Sequence, residues 1–243
     1  TLFPYTTLFR SVKGGGHGDY RLITLAPNSV QEMVDFVGLG LELAFKYRNP
    51  ALILSDGIIG QMMEKVILPP FKKRRTEDEI RKQCPWATLG RKGGRQPNII
   101  TSLELDSAVM EQNNLRFQKK YAEIEANEVR YEEYQTEDAD YILVAFGSSA
   151  RICNKTVQLA RQQGIKAGIL RPITLWPFPT KEIAKLADRA KGFLVAELNA
   201  GQMIEDVRLA VNGKVPVEHY GRMGGMLFSP DEILQALKEK VIK

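Results

Sequence analysis

Alternation of strand-like and helix-like segments is the feature that most constrains how this chain folds. Over residues 137–243, apolar runs such as ADYILVAFG and GFLVAEL alternate with amphipathic stretches such as SARICNKTVQLARQQG and PTKEIAKLADRA. Such alternation is typical of strand–helix units in an open, mostly parallel sheet. Gly164 is placed to close the first of these helices, and Pro230 is placed to open the last. The sequence therefore predicts a doubly wound α/β domain over 137–243.

A shorter strand–helix–strand pattern comes earlier in the chain. Leu22–Ala26 is an apolar run, and the S-x-x-E spacing of Ser29 and Glu32 predicts a capping box at the start of the next helix. The run ALILSD at 51–56 is typical of a strand covered on both faces. Because two strands do not make a stable domain, we interpret 12–70 as the remaining part of a larger α/β domain.

The region between these two patterns is polar and rich in charge. We interpret 71–136 as a linker or insertion in which Asp106–Tyr134 forms one long charged helix. The dense basic run Lys72–Arg75 allows two interpretations. It is either a nuclear signal or phosphate patch, or a solvated loop paired with the acidic residues 77–79 at a helix start.

The first eleven residues differ in origin from the rest of the chain. Thr1–Ser11 back-translates in a single reading frame to a common sequencing-adapter oligonucleotide. We therefore expect residues 1–11 to be a non-native scar and exclude them from the fold prediction. The native sequence would then begin at Val12, inside a domain.

Composition narrows the class of protein. The chain has 243 residues, 44% hydrophobic and 26% charged, which is ordinary for a soluble globular protein. A net charge of +5 is too small and too scattered to predict a nucleic-acid partner, and no apolar run reaches the ~20 residues that span a bilayer. Cys84 and Cys153 lie far apart and outside any metal-ligand spacing, so we predict no metal site on this chain and a reducing, cytoplasmic setting.

Several segments carry candidate functional residues. His17 and Asp19 share the glycine-rich segment GGGHGDYR, as a catalytic pair or as a structural turn. Glu197, Asn199 and Gln202 follow a predicted strand, at the edge where α/β proteins gather function. Glu197 is either an acid/base group or a solvated carboxylate, and Asn199 either binds a polar ligand or caps a helix. The loop at 146–149 either cradles an anion or forms a tight turn.

Taken together, these motifs resemble a known family. The segments GGGHGDYRLITLAPNSVQEM, KYRNPALILSDG, ADYILVAFGSSAR, LRPITLWPFP, ELNAGQM and YGRMGG occur in this order. They are similar to the alpha subunit of 2-oxoacid:ferredoxin oxidoreductases of the 3-methyl-2-oxobutanoate or 2-oxoglutarate type. The resemblance implies the C-terminal part of a thiamine-diphosphate pyrimidine-binding domain, followed by a transketolase C-terminal-like domain.

The resemblance also implies cofactors and partners. Such enzymes use thiamine diphosphate with magnesium to decarboxylate a 2-oxo acid. They pass electrons through iron–sulfur clusters on other subunits to ferredoxin, and coenzyme A accepts the acyl group. Beta, gamma and delta-type subunits are the implied partners, with no nucleic acid and no membrane. The family's YPITP-like opening and its activating glutamate find no match here. We therefore expect the catalytic residues upstream of Val12, and an inactive fragment.

Two other functions stay open at this point. One is the beta component of a thiamine-dependent 2-oxoacid dehydrogenase complex, whose C-terminal domain has the same plan but which the charged 106–134 segment fits less well. The other is a non-catalytic nucleotide-binding or regulatory module. Fold class alone does not separate these functions, since one α/β architecture supports many activities.

Overall fold

The computed structural model describes residues 19–88, 90, 94, 96–101 and 103–242. The predicted scar 1–11, the predicted native start at Val12 and the candidate His17 lie outside these residues. The chain divides into two compact units. One unit joins the residues up to Ile67 to those from Phe117 onward, and the other is Leu68–Arg116.

The helices and strands of the described residues follow one another along both units. In chain order they are β1 (Ile23–Leu25), α1 (Val30–Tyr47), β2 (Ala51–Ile53), α2 (Gly57–Gln61), α3 (Glu77–Gln83), α4 (Ser107–Asn127), β3 (Tyr131–Tyr134), β4 (Tyr141–Val144), α5 (Gly147–Gln162), β5 (Ala167–Pro172), β6 (Thr174–Trp176), α6 (Thr180–Ala187), β7 (Gly192–Glu197), α7 (Met203–Val211), β8 (Val217–Gly221), α8 (Pro230–Ala236) and a π-helical segment (Leu237–Ile242).

Two sheets organise the first unit. The larger has the order β3-β5-β4-β7-β8, in which every pair is parallel except the antiparallel pair of β3 and β5. The smaller has the order β2-β1-β6, with β1 and β2 parallel and β6 antiparallel to β1. The predicted mostly parallel α/β architecture is therefore confirmed, as is the parallel crossover from β1 through α1 to β2.

Helices cover both faces of the larger sheet. On one face, α5 and α8 pack Val157 and Ile233 against Leu143 and Leu194. On the other face, α6 and α7 bury side chains against the alternate strand positions, among them Val195. Because side chains alternate across a strand, a continuous apolar run such as that of β7 serves both cores at once. All six β7 residues are buried.

Local capping signals place the ends of several helices as predicted. Ser29 caps α1 by accepting a hydrogen bond from the Glu32 N–H, although the Glu32 carboxylate turns back to the Asn28 N–H rather than to that of Ser29. Ser229 and Glu232 form a full capping box at the start of α8, with Pro230 as its first residue. These contacts satisfy N–H groups that have no partner inside the helix.

The prediction of one helix over Asp106–Tyr134 is wrong at its C-terminal end. Helix α4 stops at Asn127, and Tyr131–Tyr134 forms the edge strand β3 paired with β5. β5 pairs with β4 along one edge, and Tyr131–Tyr134 pairs antiparallel with its other edge. Tyrosine is favoured in strands, so the residue types of this segment are compatible with that pairing. The apolar run KAGILRPITL, which reads as one strand, forms two strands. The Ile173 and Thr174 N–H groups both donate to the Arg130 carbonyl, and β6 joins the smaller sheet.

Among its described residues, unit Leu68–Arg116 has α3 and the first turns of α4 as its main regular elements. Thr76 and Glu79 form a capping box at the start of α3, and α3 buries none of its residues. Among the helices of the described ranges, none combines the length and the apolar character needed to cross a bilayer.

Candidate functional site

The carboxyl ends of β1 and β2 meet the start of α5, and Asp56 is the contact between them. Its Oδ1 accepts from the Ile59 N–H at 3.0 Å and caps α2. Its Oδ2 accepts from the Ser148 N–H at 2.7 Å, across a separation of 92 residues. One carboxylate thus holds the first turns of two helices, where negative charge is favoured by the helix dipole.

Backbone geometry at Gly147 leaves room for this carboxylate. Gly147 has φ of 59°, and a Cβ at this position would lie 2.7 Å from Asp56 Oδ2. The loop at 146–149 was predicted to cradle an anion or to form a tight turn. Residues 147–149 are instead the first turn of α5, and the anion that the Ser148 N–H contacts is the Asp56 carboxylate of the same chain.

A buried arginine makes the second connection between the two sheets. Arg171 on β5 donates to the Ala26 carbonyl at 3.0 Å and to Glu132 at 2.8 Å, and it forms a two-point ion pair with Glu32. The side chain of Arg171 is only 3% exposed. Because a buried charge is stable only when it is paired and hydrogen-bonded, this cluster fixes the start of α1 against β5.

The segment after α2 is tied to the same edge. Glu64 accepts from the Val30 N–H at 3.0 Å and forms a 2.8 Å ion pair with Arg151, which also donates to the Asn28 carbonyl. The hydrogen bond from Val30, followed by that from Arg151, holds the pKa of Glu64 below its usual range. The strand ends of the smaller sheet are thus covered by their own chain.

The predicted residues Glu197, Asn199 and Gln202 do come together at the end of β7. Asn199 Nδ2 donates to Glu197 at 3.1 Å. The carboxylate also accepts from the N–H groups of Gln202, Met203 and Ile204 at 2.9–3.2 Å. Glu197 is 1% exposed, so the interpretation of a solvated carboxylate is wrong. Glu197, rather than Asn199, makes the side-chain contacts to the first turn of α7.

His219 on β8 completes this cluster. Its Nε2 lies 3.9 Å from Glu197 Oε1 and is buried without a hydrogen-bond partner. Burial lowers the pKa of His219 and outweighs the opposing effect of the Glu197 charge. Gly221 allows the close packing here, since a Cβ on it would lie 2.2 Å from the Asn199 carbonyl oxygen. The imidazole is therefore neutral at pH 7, which fits a structural role.

The remaining candidate, Asp19, lies at the start of the described residues and is exposed. An open cleft of about 420 Å³ lies elsewhere, between β3 and α5, and is lined by Glu132, Asn154 and Arg171 among others. Its arginine is already paired with Glu32 and Glu132. The residues that line this cleft do not include Glu197, Asn199 or Gln202.

The strand-end acids do not form a thiamine diphosphate site by themselves. The resemblance implies a free carboxylate for the aminopyrimidine ring, but Glu32, Asp56, Glu64 and Glu197 are each engaged by an arginine or by helix N–H groups. Within the part of the chain that the structure describes, no group of three or more His, Cys, Asp or Glu side chains is placed to hold a metal ion.

Sequence reasoning missed the connections made by Asp56 and Arg171. The only local signal was an Asp placed directly after an apolar run and before a helix, as in SDGIIG. Arg171 gave no local signal, because its partner Glu32 lies 139 residues away. Such pairs follow from the fold and are invisible to spacing arguments.

Two family models match the chain in series. Residues 8–138 match the pyruvate flavodoxin/ferredoxin oxidoreductase, thiamine diphosphate-binding family, and residues 139–233 match core domain II of pyruvate:ferredoxin oxidoreductase. The first match alone covers more than half of the chain. The chain belongs to the ferredoxin oxidoreductase family, which confirms the resemblance drawn from its motifs.

Individual relatives refine this assignment. The chain is 48% identical over 228 residues to the ketoisovalerate oxidoreductase subunit VorB of Methanothermobacter marburgensis, covering 94% of this chain and 63% of that protein. It is 33% identical over 243 residues to the 2-oxoglutarate synthase subunit KorA of the same organism, covering 92% and 65%. The chain thus spans a little under two thirds of the length of these relatives.

A solved structure matches the fold. The 2-oxoglutarate:ferredoxin oxidoreductase from Magnetococcus marinus, determined with 2-oxoglutarate, coenzyme A and succinyl-CoA bound, superimposes with a TM-score of 0.75. The match covers 97% of this chain and 45% of that one at 23% identity. At this level of identity the likeness supports the fold alone.

Proposed function

We propose that this chain is the alpha-type subunit of a 2-oxoacid:ferredoxin oxidoreductase, and that its 2-oxo acid is the branched 3-methyl-2-oxobutanoate. The observation that carries the proposal is the unbroken succession of the two family matches over residues 8–233. The higher identity to the ketoisovalerate subunit than to the 2-oxoglutarate subunit favours the branched substrate.

The proposed reaction converts the 2-oxo acid and coenzyme A to acyl-CoA and carbon dioxide, with two electrons passing to ferredoxin. Bound thiamine diphosphate with its magnesium would supply the carbanion chemistry. Iron–sulfur clusters would lie on beta, gamma and delta-type subunits, and the complex would work in the cytoplasm. The relatives are named as subunits, which supports partner chains of this kind.

This chain's own contribution would be to position the domains around the cofactor. Asp56 and Arg171 fix the ends of β1 and β2 against the larger sheet. Geometry at this precision matters, because a displacement of ~1 Å in a positioned site can lower a rate by about a hundredfold. The domain boundaries 12–70, 71–136 and 137–243, with 1–11 as a scar, remain part of the same proposal.

Recombinant co-expression of the protein from its gene with its partner subunits tests the proposal. Purified complex should reduce ferredoxin only when a 2-oxo acid and coenzyme A are both present, with 3-methyl-2-oxobutanoate preferred over 2-oxoglutarate. Reduction that is independent of coenzyme A, or that requires lipoamide, would contradict it. For the 243-residue chain itself we expect assembly with the partners without turnover, since the activating glutamate that the resemblance implies finds no match in it and its described strand-end acids do not replace that glutamate.

A further inference from the structure

Net charge is concentrated in one segment of the molecule. Leu68–Arg116 contains ten lysine and arginine residues against six acidic residues, a net charge of +4, whereas the whole chain carries +5. The segment is 49 residues long and forms its own compact unit. The basic run Lys72–Arg75 within it is exposed throughout. The remainder of the chain is close to neutral.

Two of the acids that follow the basic run, Glu77 and Glu79, contact residues of their own helix or its cap. The Glu79 carboxylate accepts from the Thr76 N–H at 2.7 Å in the capping box of α3, and Glu77 lies 3.6 Å from Arg81 in the next turn. Bonds from Thr76, more than the charge of Arg75, hold the pKa of Glu79 below its usual range. The structure therefore supports a helix start directly after the basic run, with Glu77 and Glu79 contacting residues of α3 and its cap.

Large apolar side chains of the same segment face solvent. Phe71, which directly precedes the basic run, is 96% exposed, and Leu105 is 87% exposed. Leaving several such side chains in water is unfavourable unless a partner covers them. The described members that are more than 70% exposed are Leu68, Phe71, Ile99, Ile100, Leu103 and Leu105.

We propose that Leu68–Arg116 is a docking arm that binds an acidic, apolar-lined surface of another subunit in the same complex. The partner named here rests on the proposed function. Apolar anchors with charged residues beside them match the usual anatomy of a protein interface, in which complementary charge steers association and apolar groups supply the buried core.

Charge and hydrophobicity together favour this partner over two others. A nucleic acid would neutralise Lys72–Arg75 and could stack a base on Phe71, but it would leave aliphatic side chains such as Ile99 and Leu105 in water. A second copy of the chain would bring an equal positive arm and a nearly neutral remainder, which offers no complementary field. An acidic protein surface satisfies both properties of the arm.

The test measures binding of the full chain to its purified beta-type and gamma-type subunits. One variant, Lys73→Glu with Arg74→Glu, reverses two charges of the arm, and a second, Phe71→Ser with Leu105→Ser, removes two apolar anchors. The matched control, Lys181→Glu with Lys185→Glu, makes the same charge change on exposed positions of α6. Circular dichroism and a thermal melt establish that each variant is folded.

The charge variant should bind on the order of tenfold more weakly at about 50 mM salt, with the difference shrinking at about 500 mM as screening increases. The apolar variant should bind more weakly at both salt concentrations, and the control should bind within about twofold of the unchanged chain. Equal binding by the unchanged chain and both arm variants would overturn the docking arm while leaving the proposed function intact.

Two other results identify different failures. Absence of binding by the unchanged chain would overturn the proposed function and, with it, the partner named for the arm. Tighter binding to a poly(U) oligonucleotide than to the subunits, abolished by the charge variant, would overturn the proposal in favour of a nucleic acid.

Discussion

Glu128 shows how this protein stabilises charge away from water. Its carboxylate is buried, and it accepts hydrogen bonds from Lys46 at 2.7 Å and from the Tyr47 hydroxyl at 2.6 Å. Arg130 forms a further ion pair at 2.9 Å. Burial by itself raises the pKa of Glu128, but the bonds from Lys46, Tyr47 and Arg130 outweigh it and hold the pKa below its usual value. The cluster joins α1 to the end of α4.

Replacing Glu128 with Gln should lower the free energy of unfolding by about 1–2 kcal/mol at pH 7, because the charge-assisted hydrogen bonds from Lys46 and Tyr47 become ordinary ones while Lys46 and Arg130 stay partly exposed to water. The folded-state pKa is depressed, so this stabilisation is present above the unfolded pKa of about 4.3 and is lost as the pH falls through the folded pKa. Denaturant unfolding of both proteins between pH 7 and pH 3 measures it. A difference that stays constant with pH would contradict this account.

Asp56 provides a second test at the residue scale. Asp56→Ala should lower the free energy of unfolding by about 2 kcal/mol, because the N–H groups of Ile59 and Ser148 lose their acceptor together. Asp56→Asn keeps one acceptor oxygen and should cost less. Asp35→Ala, at an exposed position of α1, is the control and should stay within about 0.5 kcal/mol. Equal effects of Asp56→Ala and Asp35→Ala would show that the connection carries no stability.

The end of β8 packs tightly against the segment that follows β7. Gly221 lies against the Asn199 carbonyl, and an added Cβ would also approach the His219 ring to 2.5 Å. Gly38 on α1, in contrast, has open space where a Cβ would be. The same substitution at these two glycines therefore separates steric effects from effects on helix propensity.

Gly221→Ala should lower the free energy of unfolding by about 1–3 kcal/mol, because backbone must shift to admit the methyl group. Gly38→Ala should raise it by about 0.5–1 kcal/mol, since alanine is the better helix former. Thermal or denaturant unfolding of the two variants decides. A neutral Gly221→Ala would mean that the β7 and β8 ends are less tightly packed than the structure indicates.

Elements with a clear local signal could be predicted from the sequence. The strand–helix order after residue 137 and the start of α8 at Pro230 followed from periodicity and capping residues. The end of α4 at Asn127 did not, because Tyr131–Tyr134 becomes a strand only through the free edge of β5. The position of β6 beside β1 could not be predicted either, because this pairing joins strands that are far apart in sequence.

In the whole molecule, contacts of the candidate site between residues close in sequence could be predicted, and contacts between distant residues could not. Glu197, Asn199 and Gln202 lie within six residues of one another at a strand end, so their meeting could be predicted. The contacts of Arg171 with Glu32 join positions 139 residues apart and depend on the complete fold. The role of the strand-end cluster in the reaction stays a prediction.

Arg171 should therefore matter to the molecule as a whole. Arg171→Met leaves Glu32 without its buried partner and should lower the free energy of unfolding by about 3 kcal/mol or more. Arg171→Lys keeps the charge but not the planar fork, and should recover only part of that loss. Limited proteolysis between β1 and α1 offers a second readout, with faster cleavage expected in Arg171→Met. Full recovery by lysine would contradict a role for the fork geometry.

Purification of the native complex allows the most direct test that this chain is a subunit of a 2-oxoacid:ferredoxin oxidoreductase. An affinity tag on the chromosomal copy of the gene would allow the protein to be purified with its natural partners, and ferredoxin reduction would then be followed optically. We expect reduction that needs both a 2-oxo acid and coenzyme A, with co-purification of an iron–sulfur subunit. A purified protein that carries no such partner and reduces no ferredoxin with any 2-oxo acid would contradict it.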